Sequence, residues 1–152
     1  MKAHPYPAAV HPELVGTYPA LANAGGGYVW DEVLEYRVWS RAERGAEGED
    51  EGKWHYRAFA TYADAAEFAK RTEGADAPIA LVLQEEYLDE PEEGRYVHVR
   101  ERRVTEWSVA LLRRPRRTPT TIPDFLSPDA PANRLAILRG TGTGKKRRAP
   151  PP

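Results

Sequence analysis

Two stretches of the chain alternate between apolar and polar residues, as strands with one buried face do. In residues 28–39 the predicted inward positions are Leu34, Tyr36 and Val38, and the outward ones are Glu35, Arg37 and Trp39. From Lys53 onward the predicted inward positions are Trp54, Tyr56 and Ala58, and the outward ones are His55 and Arg57. The acidic, glycine-containing segment 41–52 separates the two stretches. We therefore predict an antiparallel hairpin with a long exposed connection.

A short helix and the most apolar segment of the chain follow this hairpin. A helix over residues 62–71 is predicted because Tyr62, Ala65, Ala66 and Ala69 share one helical face. Thr61 and Asp64 have the spacing of an N-terminal capping pair, and Gly74 is a typical helix stop. Residues 79–83 are apolar without interruption, which is typical of a strand covered on both faces. We expect this strand to be central and the helix to lie on it.

A fourth strand is predicted over residues 95–100, after a turn at residues 88–94 that Pro91 and Gly94 mark. Val97 and Val99 point inward in this prediction, and a bulge near Arg102 accounts for the different parity of Val104. Residues 105–113 fit either a short helix or a prolonged strand. The predicted fold class is α+β, with a small, mainly antiparallel four-stranded sheet in the order β-β-α-β-β and one helix packed on a face.

Composition divides the chain into three regions. Residues 1–27 form an arm rich in proline and glycine, and a docked arm and a free arm are both compatible with its scattered apolar residues. Residues 28–139 are predicted to form a single domain whose C-terminal part wraps around it in extended form. Residues 140–152 form a basic tail, predicted to be disordered because it has no apolar side chain larger than alanine.

The overall composition narrows the range of functions. A chain of 152 residues has room for one hydrophobic core, and its net charge of −1 favours neither nucleic acid nor an anionic membrane. The absence of cysteine excludes disulfides, thiolate metal sites and a cysteine nucleophile. No apolar run is long enough for a membrane span, and residues 1–7 lack the features of a secretory signal. We expect a cytoplasmic protein with no membrane partner.

Candidate binding residues come from an arginine-rich stretch and from the outward positions of the strands. Arginines cluster around Trp107 between residues 100 and 117, a combination typical of nucleic-acid binding. The acidic run at residues 85–93 is expected to pair with these arginines, so we predict weak and non-specific nucleic-acid binding at most. The histidines have no metal-ligand spacing, and no metal site is predicted. The candidate binding residues are Trp39, His55, Arg57, His98, Arg100, Arg102 and Trp107.

Near its end the chain contains Arg139-Gly140-Thr141-Gly142-Thr143-Gly144, which satisfies the pattern R-x-x-G-x-G. With this motif, residues 25–140 resemble short bacterial proteins identified as GCN5-family acetyltransferases. The segments that carry the resemblance are GGGYVWDEVLEYRVW, FATYADAAEFA, VTEW and TIPDFLSPDAPANRL. The resemblance implies acyl transfer from acetyl-CoA to an amine. Arg139, Gly142 and Gly144 would then belong to the loop whose backbone amides hold the pyrophosphate of the cofactor.

The residues themselves favour a different class of function. In the acetyltransferase family the loop opens a helix, whereas KKRRAPPP follows Gly144 here, and proline and like charges disfavour a helix. No general base is identified. We therefore expect a non-catalytic binding or assembly module without a cofactor, whose partner is another protein or a second copy of the chain. An acetyl-CoA-dependent N-acetyltransferase is the alternative.

Overall fold

The computed structural model describes residues 6–41 and 54–142 of the chain. The strands are β1 (Asn23–Ala24), β2 (Glu32–Arg41), β3 (Trp54–Phe59), β4 (Ile79–Gln84), β5 (Tyr87–Glu92), β6 (Arg95–Val99) and β7 (Arg103–Ser108). The α-helices are α1 (Tyr62–Lys70), α2 (Thr121–Leu126) and α3 (Arg134–Leu138). Single 3-10 turns span Pro12–Leu14 and Val109–Arg113.

These strands form a five-stranded sheet in the order β1-β7-β4-β2-β3 and a separate hairpin of β5 and β6. The α+β class is confirmed, and β4 is the middle strand, as its apolar sequence predicted. The four-stranded sheet is wrong in two respects. The segment expected to be a turn is mostly strand β5, which pairs with β6 outside the main sheet. The strand that pairs with β4 on this side is β7 instead, and the 3-10 turn follows it.

Helix α1 covers one face of the five-stranded sheet. It begins as predicted, because the Thr61 hydroxyl accepts a hydrogen bond from the Asp64 amide at 3.2 Å. The core beneath it is built from buried residues of the helix and of three strands. They include Tyr36, Val38, Ala65, Ala80, Val82 and Trp107.

The faces assigned to β3 are reversed relative to the prediction. Arg57 is paired across the hairpin with Val38, so it lies on the helix side of the sheet. Its guanidinium carbon is 5.0 Å from the ring centre of Phe68, which it covers with its aliphatic stem and charge. Tyr56 lies on the opposite face and pairs with Trp39. The prediction assigned the wrong faces because it did not use Phe59, the apolar residue that faces α1. Arg57 is two positions from Phe59, and residues two apart in a strand lie on the same face.

The face opposite α1 is charged and yet buried. Glu35 and Arg37 are both fully buried, although the alternating pattern predicted outward positions for them. The cause is the N-terminal segment, of which residues 16–20 lie across this face and are hydrogen-bonded to it. Arg37 donates to the carbonyls of Pro19 at 2.6 Å and Ala20 at 3.1 Å, and the Gly16 amide donates to Glu35 at 2.8 Å.

The C-terminal segment forms a second small core against the β5–β6 hairpin. Its buried members are Val29, Leu88, Ile122, Phe125 and Leu138. Gly140 follows α3 with a positive φ of 76° and lies close to the Arg113 carbonyl. Residues 143–152, most of the predicted basic tail, lie outside the described residues. Among the helices of the described ranges, none has the length and apolar character that crossing a membrane requires.

Candidate functional site: the glycine–arginine pocket

A loop of three glycines connects β1 to the core and is fixed by hydrogen bonds to its carbonyls. The Thr105 hydroxyl donates to the Gly25 carbonyl at 3.0 Å. Gln84 Nε2 and the Trp107 indole both donate to the Gly26 carbonyl, at 3.1 and 3.0 Å. The three donors belong to buried residues, so the sheet itself holds the loop in place.

The backbone of this loop requires glycine. Gly25, Gly26 and Gly27 have φ of 73°, 84° and 88°, and Tyr28 continues the series at 65°. A Cβ on Gly27 would lie 2.8 Å from the side-chain carbonyl carbon of Gln84. Positive φ at a tyrosine is uncommon and costs backbone strain, which structures retain where the surroundings impose it.

Three arginines from distant parts of the chain line a cavity beside this loop. Arg103 is on β7, Arg114 follows the 3-10 turn, and Arg139 follows α3. Together with the glycine loop, they surround a cavity of about 500 Å³. We call this the glycine–arginine pocket; it is lined by Asn23, Ala24, Gly25–Gly27, Tyr28, Leu88, Asp89, Glu90, Arg103, Leu111, Arg114 and Arg139.

Arg114 is the cation whose environment is least favourable. One terminal nitrogen donates to the Tyr28 carbonyl at 3.2 Å, but the buried Nε has no hydrogen-bond partner in the described part of the chain. Burial lowers the pKa of Arg114, and the nearby charge of Arg139 lowers it further. A buried donor without an acceptor costs about 1–3 kcal/mol, and more when the group is charged. Because Arg114 also lines the pocket, an anion bound there would place a counter-charge beside its guanidinium group.

The pocket arginines differ from the neighbouring Arg102 and Arg117 in having no ion pair with a carboxylate in the described ranges, although the charge of Arg139 acts on Glu90. Arg102 binds Glu85 with two hydrogen bonds of 3.1 Å, and Arg117 binds Asp31 at 2.9 Å. Within residues 6–41 and 54–142, no ion pair involves Arg103, Arg114 or Arg139. Arg103 instead donates to the amide oxygen of Gln84 at 2.7 Å and stacks 3.8 Å from the ring centre of Tyr87.

Two carboxylates also line the pocket, and they differ in how they are engaged. Glu90 accepts hydrogen bonds from the Tyr28 hydroxyl and, at 2.8 Å, from the Gly94 amide. These two hydrogen bonds, the one from Tyr28 foremost, lower the pKa of Glu90. Asp89 is exposed, and its carboxylate has no hydrogen-bond partner among the described residues. The arginine side of the pocket can therefore take an anion, while Asp89 can accept hydrogen bonds.

A second cavity, of about 570 Å³, lies between α2 and α3. Its walls are largely apolar, and several of its polar groups are already engaged. Arg134 donates to the Phe125 carbonyl at 2.7 Å, and the hydroxyls of Thr118 and Thr121 lie 3.2 Å apart. The glycine–arginine pocket is the candidate site because it contains an unsatisfied buried charge and this cavity does not.

The structure separates the residues that the sequence indicated for binding. Trp39 is half-buried, and its indole donates to Glu106 at 3.1 Å on the face covered by the N-terminal segment. His55 is exposed on the edge strand β3, whereas His98 is on the β5–β6 hairpin and is hydrogen-bonded to Glu86 at 2.6 Å. Arg100 is exposed beyond the end of β6. These residues do not form one surface.

The arginine-rich stretch is likewise divided. The predicted pairing with the acidic run at residues 85–93 is confirmed for Arg102 with Glu85 and for Arg117 with Glu86. Trp107 is buried, with 1% of its surface exposed, so it offers no stacking face to a ligand in solvent. Of this stretch, Arg103 and Arg114 reach the glycine–arginine pocket.

The predicted cofactor loop ends a helix and does not open one. The amide of Gly140 donates to the Ile137 carbonyl at 3.1 Å, and those of Thr141 and Gly142 donate to the Ala136 carbonyl at 2.9 Å. These amides are consequently engaged by α3 itself. Gly144 lies outside the described residues, and Arg139 is the residue of this motif that lines the pocket.

Sequence reasoning missed the glycine loop, Arg103 and Arg114 as parts of one site. The run of three glycines was interpreted as the end of an irregular arm, although glycines in succession also permit consecutive positive φ. Comparison of the chain with protein-family models, curated proteins and solved structures finds no match. In the described ranges, no cluster of three or more histidine, aspartate or glutamate residues has the arrangement of a metal site.

Proposed function

We propose that this protein is a non-catalytic binding module that holds a small anionic ligand in the glycine–arginine pocket. The observation that carries the proposal is Arg114, whose buried Nε lacks an acceptor and whose charge lacks a carboxylate partner. Buried cations in proteins are normally paired because an unpaired one is costly. Arg103 and Arg139 line the same cavity and add to its positive field.

The number of free donors favours a phosphate group over a single carboxylate. Three guanidinium groups together present many N–H groups, of which protein acceptors engage one on Arg103 and one on Arg114, while Arg139 is hydrogen-bonded to the Tyr28 hydroxyl. A phosphate group offers three terminal oxygens and accepts hydrogen bonds from guanidinium pairs in a fixed geometry. A cavity of about 500 Å³ is within the size range of small-molecule sites.

The alternative, an acetyl-CoA-dependent N-acetyltransferase, depends on backbone amides free to hold a pyrophosphate. Those of Gly140, Thr141 and Gly142 donate to carbonyls of α3, which favours the binding module. The alternative retains one supporting observation, because Arg139 lines the pocket. Saturable one-to-one binding of acetyl-CoA, abolished by Gly142→Pro, would favour the acetyltransferase over the module.

Calorimetry with inorganic phosphate tests the proposal. We expect saturable one-to-one binding that weakens about tenfold or more in Arg114→Gln, since hydrogen bonds between charged groups contribute about 1.5–3 kcal/mol. The matched control is Arg113→Gln, which removes the same charge one residue away. Arg113 is exposed and does not line the pocket.

A second variant keeps the test valid if Arg114→Gln fails to fold. Arg139 is exposed on the pocket rim, and its replacement by glutamine leaves the core unchanged. We expect Arg139→Gln to weaken phosphate binding and Arg113→Gln to leave it within about twofold. Equal weakening by both variants would show general charge attraction and would contradict a built site.

A further inference from the structure

The glycine–arginine pocket has a second chemical side that an inorganic anion would not use. We infer that its ligand is a phosphorylated sugar or polyol, with its phosphate on the arginines and its hydroxyls toward Asp89 and Asn23. This inference rests on the proposed function and specifies the ligand class for the same site.

The first support is the set of acceptors in the pocket that have no donor. Asp89 lines the cavity, and its carboxylate has no hydrogen-bond partner among the described residues. The side-chain nitrogen of Asn23 donates to the Val104 carbonyl at 3.2 Å, and its side-chain oxygen has no donor among the described residues. A sugar offers several hydroxyl groups that can donate to both acceptors at once, whereas the inorganic phosphate dianion has a single hydrogen to donate.

The charge distribution also favours a ligand that is anionic at one end only. Asp89 and Glu90 lie in the wall that includes Leu88, and Glu90 is held as a carboxylate by Tyr28 and Gly94. These negative charges oppose a second phosphate group on the ligand. A monophosphate is therefore favoured over a pyrophosphate.

The pocket has no open aromatic face for a nucleobase. Tyr28 is the aromatic residue in its wall, and its ring makes a T-shaped contact with Tyr96 at 5.8 Å between ring centres. The guanidinium carbons of Arg114 and Arg139 are 5.7 and 5.9 Å from the Tyr28 ring centre. Base recognition usually includes stacking on a free aromatic ring. The polar walls fit hydroxyl groups better than a base.

The experiment compares ribose 5-phosphate, inorganic phosphate, adenosine 5′-monophosphate, pyrophosphate and ribose by calorimetry at one salt concentration. We expect ribose 5-phosphate to bind about tenfold more tightly than phosphate, with ribose giving no measurable heat. Asp89→Ala should remove this preference while phosphate binds as well as before or better, because a negative charge has gone. Glu93→Ala is the matched control; Glu93 is exposed on the same hairpin and outside the pocket.

The outcomes separate this inference from the proposed function. Equal affinity for phosphate and ribose 5-phosphate would overturn the sugar inference and leave the anion site standing. Tighter binding of pyrophosphate or of adenosine 5′-monophosphate would overturn it in favour of a second phosphate or a base. Absence of binding by every phosphate compound would refute the anion site as well.

Discussion

Arg37 shows how a charged residue can belong to the interior of this fold. Its Nε donates to Glu35 at 2.7 Å, and a terminal nitrogen donates to Glu106 at 2.8 Å. Burial opposes its charge, but the hydrogen bonds that Arg37 donates to the two carboxylates prevail and raise the pKa of Arg37. Arg37 remains a cation at all ordinary pH values. The negative charges of Glu35 and Glu106 are balanced only while Arg37 is present.

Replacing Arg37 with methionine should therefore be strongly destabilising. Removal of one partner of a buried ion pair leaves an uncompensated charge and costs about 3–5 kcal/mol. Arg102→Met is the control, because its pair with Glu85 is exposed and such pairs contribute about 0–1 kcal/mol. Urea unfolding measures both values. Similar losses for the two variants would show that the Arg37 network does not stabilise the fold.

Gly27 gives a second test at this scale. Alanine at position 27 meets both a positive φ and the buried side chain of Gln84, so we expect a loss of about 2 kcal/mol or more. Gly94→Ala has a similar φ of 83° with no atom within 4 Å of the new Cβ, and it should cost about 1 kcal/mol. Chemical unfolding compares them. A cost for Gly27→Ala no larger than that for Gly94→Ala would contradict the close packing of the loop.

The alternation of apolar and polar residues in β2 predicts which side chains share a face, but it does not predict which face is exposed. The pattern correctly put Tyr36 and Val38 on one face of β2 and Glu35 and Arg37 on the other. The pattern could not show that the N-terminal segment covers the polar face. That segment contacts Arg37 through backbone carbonyl groups, and every residue has one, so the sequence carries no signal for the contact. The exposure of Glu35 and Arg37 was therefore predicted wrongly.

At the scale of elements, the N-terminal segment contacts both faces of the sheet, the α1 side through Tyr36 and the charged side through Tyr56. The Tyr36 hydroxyl donates to the Pro7 carbonyl at 2.6 Å, and Tyr56 donates to that of Tyr18 at 3.3 Å. Near the end of the segment, β1 adds to the sheet parallel to β7. Of the two possibilities that composition allowed, the docked arm is the one that the structure shows for residues 6–27.

Removing residues 1–22 should lower stability substantially. Arg37 would lose two carbonyl acceptors and Glu35 one amide donor, and buried apolar contacts such as Ala9 would be lost as well. Since each such hydrogen bond contributes about 0.5–1.5 kcal/mol, we expect a loss of at least about 3 kcal/mol. Urea titration of the shortened chain provides the measurement. An unchanged unfolding midpoint would contradict a structural role for this segment.

The β5–β6 hairpin is joined to the rest of the protein by Glu86, which binds His98 at 2.6 Å and Arg117 at 3.8 Å. The hydrogen bond with His98 is the main cause that lowers the pKa of Glu86, against the opposing effect of burial. A carboxylate with a lowered pKa stabilises the folded state above its unfolded pKa. This contribution is lost as the pH falls through the folded value.

We therefore predict that Glu86→Gln reduces the loss of stability on acidification. The variant should be less stable than the native protein near pH 6, and the difference should shrink as the pH is lowered from there and Glu86 becomes protonated. Urea midpoints across this range measure the effect, with Glu93→Gln as an exposed control on the same hairpin. A difference that stays constant with pH would show that ionisation of Glu86 does not stabilise the fold.

The elements with strong local signals were predictable. The Thr61 cap, the helix that follows it and the apolar strand β4 are all present. The pairing of β6 with β5 was not predictable from the sequence. Pro91 and Gly94 mark a turn equally well in a short connection and in a hairpin of two strands. Sheet order depends on contacts far apart in sequence, which a local pattern does not contain.

At the scale of the whole molecule, the candidate site is assembled from segments that are distant along the chain. The glycine loop, the start of the hairpin, β7, the 3-10 turn and the end of α3 each contribute to one cavity. No local motif could reveal this arrangement, since the spacing from Gly25 to Arg139 exceeds a hundred residues. The feature that reveals the site is the Nε of Arg114, which has no hydrogen-bond partner among the described residues. Its burial depends on the residues packed around it and is not visible in the sequence.

The most direct test of the anion site observes that nitrogen itself. Nuclear magnetic resonance of the arginine Nε–H groups during titration with inorganic phosphate reports each guanidinium separately. We predict that the Arg114 signal shifts saturably as its Nε gains an acceptor, while that of Arg102, already paired with Glu85, stays in place. An unmoved Arg114 signal at phosphate concentrations that shift the exposed arginines would contradict an anion site in the glycine–arginine pocket.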